Sequence, residues 1–150
     1  MYGEDPTVDK RDAGELSDFQ AYVDGGMIPE TYQDIKNSAN VYDKNRMFGH
    51  IQKVNCIKGD AVKTIPEYLK RFPETIISLL YLDVNLYLPS KAALEHFISR
   101  MPEGAIIVFD GLNGADFPGK TLAVIDTIGI QNLRIERFSF DNNISYAILD

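Results

Sequence analysis

From His50 onward two hydrophobic periods alternate along the chain. "HIQKVNCIKGD" alternates apolar and polar positions and predicts a strand ending at Gly59-Asp60. "TIPEYLKRF" switches to a helical period: Ile65, Leu69 and Phe72 form one stripe, and Thr64 and Glu67 have capping-box spacing. "TIISLLYLDV" is a nearly continuous apolar run, the pattern of a strand covered on both faces. "PSKAALEHFISRM" returns to the helical period with Leu94, Phe97, Ile98 and Met101 inward, and "GAIIVFDG" is a second buried strand. "GKTLAVIDTIG" predicts a short helix closed by Gly129, and "NLRIERFSF" and "ISYAILD" predict a terminal antiparallel pair. Upstream, "IPETYQDIKNSANVY" sets Tyr32, Ile35, Ala39 and Tyr42 on one helical face. Residues 1–26 are polar and glycine-punctuated, and read as a flexible N-terminal arm.

This order predicts an α/β fold with a mostly parallel sheet and crossover helices. At 150 residues the chain is read as one domain, 1–150. A net charge of -7 argues against nucleic acid as a partner, because phosphate contacts need clustered Lys and Arg. Cys56 stands alone, so no internal disulfide forms, and it reads as a small buried filler. The start "MYGEDPTVDKRDAGE" lacks the apolar core of a signal peptide, and "IISLLYL" is too short to span a bilayer. The expectation is a cytoplasmic protein without a membrane partner.

Chemistry enters at the strand ends. In open α/β sheets ligands bind beyond the carboxyl ends of the strands. Three predicted strands end there in an acid: Asp60 in "IKGDA", Asp83 in "YLDVN" and Asp110 in "VFDGLN". Asp83 and Asn85 are two apart and point to one side of an extended backbone. Two carboxylates and an amide are suited to a hard cation such as Mg²⁺, with a carboxylate as proton acceptor. The alternative at each position is a carboxylate that caps a following helix or lies in solvent.

Four segments in order carry a family resemblance: "IKGDAVKTIPEYL", "IISLLYLDVNLYLPSKAALE", "GAIIVFDGLN" and "FPGKTLAVIDTIG". Together they resemble the macrocin O-methyltransferase family, S-adenosylmethionine-dependent enzymes of the class I Rossmann-like fold. The resemblance runs over roughly residues 7 to 149. It implies a three-layer sandwich and methyl transfer to the hydroxyl of a sugar or nucleotide sugar. It also implies Asp83 as metal ligand and base, Asp110 as metal ligand for Mg²⁺, and Gly59, Asp60 and Ala61 on the adenine side of S-adenosylmethionine.

The sequence departs from that pattern at named positions. Asn85 and Gly111 stand where the family has further acids, and Lys120 where it has a Glu. Each change removes negative charge from the expected cation rim. Lys120 reads as a solvated surface lysine, with a place inside the rim as the alternative. "DKRD", Asp9 to Asp12, reads as a solvated charge run, with substrate contact by Lys10 or Arg11 as the minority reading. The family's first two strands and its Gly-rich turn are not found ahead of these segments. The family sheet order is 3-2-1-4-5-7-6, so the "VNCIKG" and "ISLLYLD" strands would stand about 14 Å apart. Buried backbone groups do not stay unpaired. The expectation is therefore a rearranged sheet in which these strands pair directly, a homo-oligomer or partner chain that fills the gap, or a truncated protein. A non-catalytic or split-gene remnant is the alternative to an enzyme.

Overall fold

A computed structural model describes residues 9–12 and 31–150 of the chain. The expected arm over 1–26 lies outside the described residues except at 9–12, which form a 3₁₀ turn, Lys10–Asp12. The described residues fall into two units, one of 31–59 and one of 9–12 with 60–150. The elements are α1 (Thr31–Asn45), α2 (Ala61–Arg71), β1 (Leu79–Leu82), α3 (Tyr87–Phe97), β2 (Ile106–Asp110), α4 (Gly119–Thr127), β3 (Ile135–Arg137) and β4 (Ile144–Ile148).

The larger unit holds one four-stranded sheet in the order β1-β2-β4-β3. β1 and β2 are parallel, with Leu80 opposite Ile107 and Leu82 opposite Phe109. β4 is antiparallel to both β2 and β3. The sheet is therefore mixed, not mostly parallel. The physical reason is the connection at 138–143, which is long enough for a hairpin but not for the crossover that a parallel pair needs. The order nevertheless reproduces the 4-5-7-6 half of the sheet that the resemblance implied, and the terminal antiparallel pair is where periodicity put it.

One face of this sheet carries the core. Leu80 and Leu82 of β1 and Ile107 and Phe109 of β2 pack against Tyr87, Ala93 and Leu94 of α3 and Ala123 and Val124 of α4. Ile65 of α2 and Phe97, Ile98 and Met101 after it join the rim of the same cluster. Each large side chain so buried stabilises the fold by about 1.5–3 kcal/mol relative to exposure. The opposite face is more open towards its β1 side and at the end of β4, where Leu79 is 57% exposed, Tyr81 48% and Ile148 49%, although Val108 of β2 is buried there. The described part of this unit has two layers where the resemblance implied three. β1 shows an alternating burial pattern, although its sequence reads as covered on both sides. The run of apolar residues is there, but no described helix of this unit covers its second face.

In the smaller unit, α1 forms as expected, yet Ile35 and Tyr42 of its apolar stripe remain exposed. Arg46 ends it by gathering oxygens: its Nε donates to Asp43 Oδ1 at 2.7 Å and its Nη1 to the carbonyls of Met47 and Phe48. The expected strand over 50–60 is absent: residues 51–60 have no strand pairing, and Ile51, Val54 and Ile57 are exposed. A strand exists only through a partner ladder, and residues 51–60 take part in none. β1 is a terminal strand of the sheet.

Candidate active site

The parallel register places the next residues beyond Leu82 and Phe109, Asp83 and Asp110, side by side at the carboxyl ends of β1 and β2. Asp83 is exposed and Asp110 half-buried. The Asp110 carboxyl is held above the ordinary aspartate range by burial first, then by the charge of Asp83 and a hydrogen bond with it, while Lys120 opposes the shift. Asp141, which sequence reasoning did not single out, adds its charge to Asp110 and Tyr81. Its Oδ1 accepts the amides of Asn143 and Ile144 at 2.8 and 3.0 Å, which holds it below the usual carboxylate range. The position next to Asp110 is Gly111, at φ 72°, with its N–H donated to the Asn143 carbonyl at 3.0 Å. An acid there would occupy a left-handed backbone that L side chains resist.

Lys120 corrects the surface expectation. It is fully buried at the start of α4, and its Nζ donates to the Asp110 carbonyl. Burial holds its pKa below the usual lysine range, with Asp110 and then Asp83 opposing. A lysine is placed inside a protein only when its charge has partners, and here they are that carbonyl and two carboxylates. These residues do not fit a resident Mg²⁺. Hard cations are held by accumulated oxygen charge, and this rim offers two carboxylates opposed by an ammonium bound to the Asp110 carbonyl. Among the described residues no group of three or more His, Cys, Asp or Glu is arranged to hold a metal.

Asp60 does not join the pair through any of its contacts. It is the N-cap of α2: its Oδ1 accepts the Val62 amide at 3.0 Å, and its Oδ2 lies 3.9 Å from Lys63 Nζ. The capping-box reading at Thr64 and Glu67 is thereby corrected, because α2 begins three residues earlier with an acid at its cap. Ala61 opens the helix, so its N–H is one of the orphan donors of a helix start. Gly59 precedes it at φ 145°. A carboxylate oxygen and an adjacent free amide suit the edge of an adenine.

The "DKRD" run, read as solvated, is built into the fold. Asp12 is fully buried. Its Oδ1 accepts the Tyr87 amide at 2.5 Å, and its Oδ2 the Asp9 amide at 2.7 Å. α3 has Leu86 at its N-cap position with no side-chain cap of its own, so Asp12 serves as the cap from 75 residues away. Burial raises the Asp12 pKa against these two bonds. Arg11 lies over the Tyr87 ring, 3.4 Å from its centroid, and is held by Asp9 at 2.7 Å. Tyr87, 1% exposed, donates its hydroxyl to Asp126 Oδ2 at 2.8 Å, as a packing residue would. Gly119 closes the junction: a Cβ there would collide with Asp12 Oδ1 and come within 2.7 Å of the Tyr87 amide. The glycine of "FPGKT" is thus required by a close approach. No local signal in the sequence links residue 12 to residue 87.

The sequence matches no protein-family model and no curated protein. Solved structures do match. The chain is 26% identical to a crystal structure of CalS11, a calicheamicin methyltransferase, with a TM-score of 0.84 over 95% of this chain and 55% of that one. An apo structure of CalS11, a TDP-rhamnose 3'-O-methyltransferase of calicheamicin biosynthesis, matches at 29% identity and a TM-score of 0.73 over 77% of this chain and 50% of the other. The chain therefore spans about half the length of these sugar O-methyltransferases, and its fold is that of the part it covers.

Proposed function

We propose that this chain is part of an S-adenosylmethionine-dependent O-methyltransferase acting on a sugar hydroxyl. The observation that carries the reading is the Asp83–Asp110 pair at the ends of adjacent parallel strands, in a chain similar to sugar O-methyltransferases. Bound S-adenosylmethionine would supply the methyl group to the acceptor oxygen and depart as S-adenosylhomocysteine, and Asp83 would take the hydroxyl proton. Positioning of the two substrates supplies much of the remaining acceleration. Asp60 and the Ala61 amide take the adenine edge. Calorimetric titration with S-adenosylmethionine, followed by mass spectrometry of a nucleotide sugar incubated with both, tests this. Saturable heat and a product heavier by one methylene are expected. No heat at millimolar ligand would leave the non-catalytic remnant as the better reading.

A second reading, that the chain works together with another chain or a second copy, is favoured by β1. Among the described residues its outer edge is unpaired, and its Leu79 and Tyr81 are exposed. Bare apolar edges recruit partners. Sedimentation equilibrium is expected to show a dimer or larger species, with Tyr81→Lys shifting it toward monomer. A monodisperse wild-type monomer would defeat this reading.

A further inference from the structure

We propose that the Lys120 ammonium takes the electrostatic place of a divalent cation in the Asp83–Asp110 rim, so that this site works with a built-in charge and is closed to metal. The inference deepens the methyl-transfer reading and rests on it for the role of the rim, but its test does not depend on turnover.

Four observations converge on this residue. Lys120 is fully buried, which a four-carbon cationic side chain accepts only when the protein is shaped to receive it. Its Nζ donates to the backbone carbonyl of Asp110, the residue whose carboxyl faces Asp83. The charges acting on it are those of Asp110 and Asp83. The two positions that could have added carboxylates beside this pair carry Asn85 and Gly111, and the backbone at 111 is left-handed. With the ammonium counted, the Asp83–Asp110 pair keeps a single negative charge beside that of Asp141, a weaker attraction for a hydrated divalent ion than the carboxylates alone would exert. An incoming ion would also meet a positive charge that is fully buried and bound to the Asp110 carbonyl rather than free to turn into solvent.

In this arrangement Lys120 is a positioning residue. It balances two neighbouring carboxylates whose mutual repulsion would otherwise favour protonation of one of them. It also anchors the end of β2 through the Asp110 carbonyl. A metal ion would do the first task only while bound; a side chain does it permanently.

The test is cation binding, read by Mn²⁺ electron paramagnetic resonance on the full chain. Wild type is expected to leave the free-ion signal unchanged at millimolar Mn²⁺. Lys120→Gln keeps an N–H donor for the Asp110 carbonyl and removes the charge, and is expected to bind Mn²⁺ at least tenfold more tightly than wild type. Lys120→Glu is expected to bind more tightly still, and to lose that gain when Asp83→Asn is added. Circular dichroism identifies which variants are folded, and the wild-type measurement needs none of them. Micromolar Mn²⁺ binding by wild type would overturn the proposal, as would folded Lys120→Gln with no gain over wild type. Failure of S-adenosylmethionine binding would count against the methyl-transfer reading and leave these cation results standing.

Discussion

Asp12→Ala is expected to destabilise the larger unit by about 2–4 kcal/mol, a fall in Tm of roughly 8 °C or more for a unit of this size. The substitution strips two acceptors from a buried position. The Tyr87 and Asp9 amides, at 2.5 and 2.7 Å from the carboxylate, lose their partner. Each buried orphan donor costs about 1–3 kcal/mol, and α3 loses the side-chain cap that Asp12 supplies. Thermal and urea unfolding followed by circular dichroism measure the effect; a change under about 0.5 kcal/mol, the range of ordinary surface substitutions, would show that the junction is not structural. Gly119→Ala acts on the same contact, so its cost should shrink in the Asp12→Ala background, where its Cβ no longer meets a carboxylate. The pH dependence has a definite sign. Burial raises the Asp12 pKa in the folded state, so its contribution is fullest below the unfolded value and declines as pH rises through the folded one. The deficit of Asp12→Asn relative to wild type should therefore be largest in acid and smaller at neutral pH.

Asp83→Asn is expected to lower methyl transfer by about 10²–10⁴-fold, the range for removal of a general base. The amide is nearly isosteric but cannot accept the acceptor's proton. The residues proposed for the adenine edge, Asp60 and Ala61, are untouched, so the Kd for S-adenosylmethionine should stay within about twofold while turnover collapses. Turnover within about threefold of wild type would remove Asp83 from the proton-transfer role. A parallel loss of cofactor affinity would instead assign it to binding. The measurement is made on whichever assembly of the chain transfers methyl groups.

Much of the larger unit was legible because its patterns are strong and local. The apolar runs ending at Asp83 and Asp110 announced β1 and β2, and the helical stripes announced α2, α3 and α4. Adjacent parallel strands then fix their terminal residues side by side, which is why the Asp83–Asp110 pair could be read without coordinates. The failures share a different cause. Residues 50–60 alternate like a strand, but strand formation depends on a neighbouring ladder, and none reaches them. Lys120 was misread because a lysine is ordinarily solvated, and only tertiary packing shows it inside. Asp12 was misread because a cap supplied across 75 residues leaves no trace in local spacing. Asp60, by contrast, shows its bland alternative directly, as the cap of α2.

The contact among Asp12, Tyr87 and Gly119 also bears on how sequences of this type can drift. A carboxylate at 12 obliges a residue without a side chain at 119, because both need the same few cubic ångströms in front of one amide. Loss of the acid removes the hardest clash at 119, but a Cβ there would still stand 2.7 Å from the Tyr87 amide, so the glycine stays constrained in lineages with and without the acid. The acid should therefore be lost more readily than the glycine, although 107 residues of chain separate them.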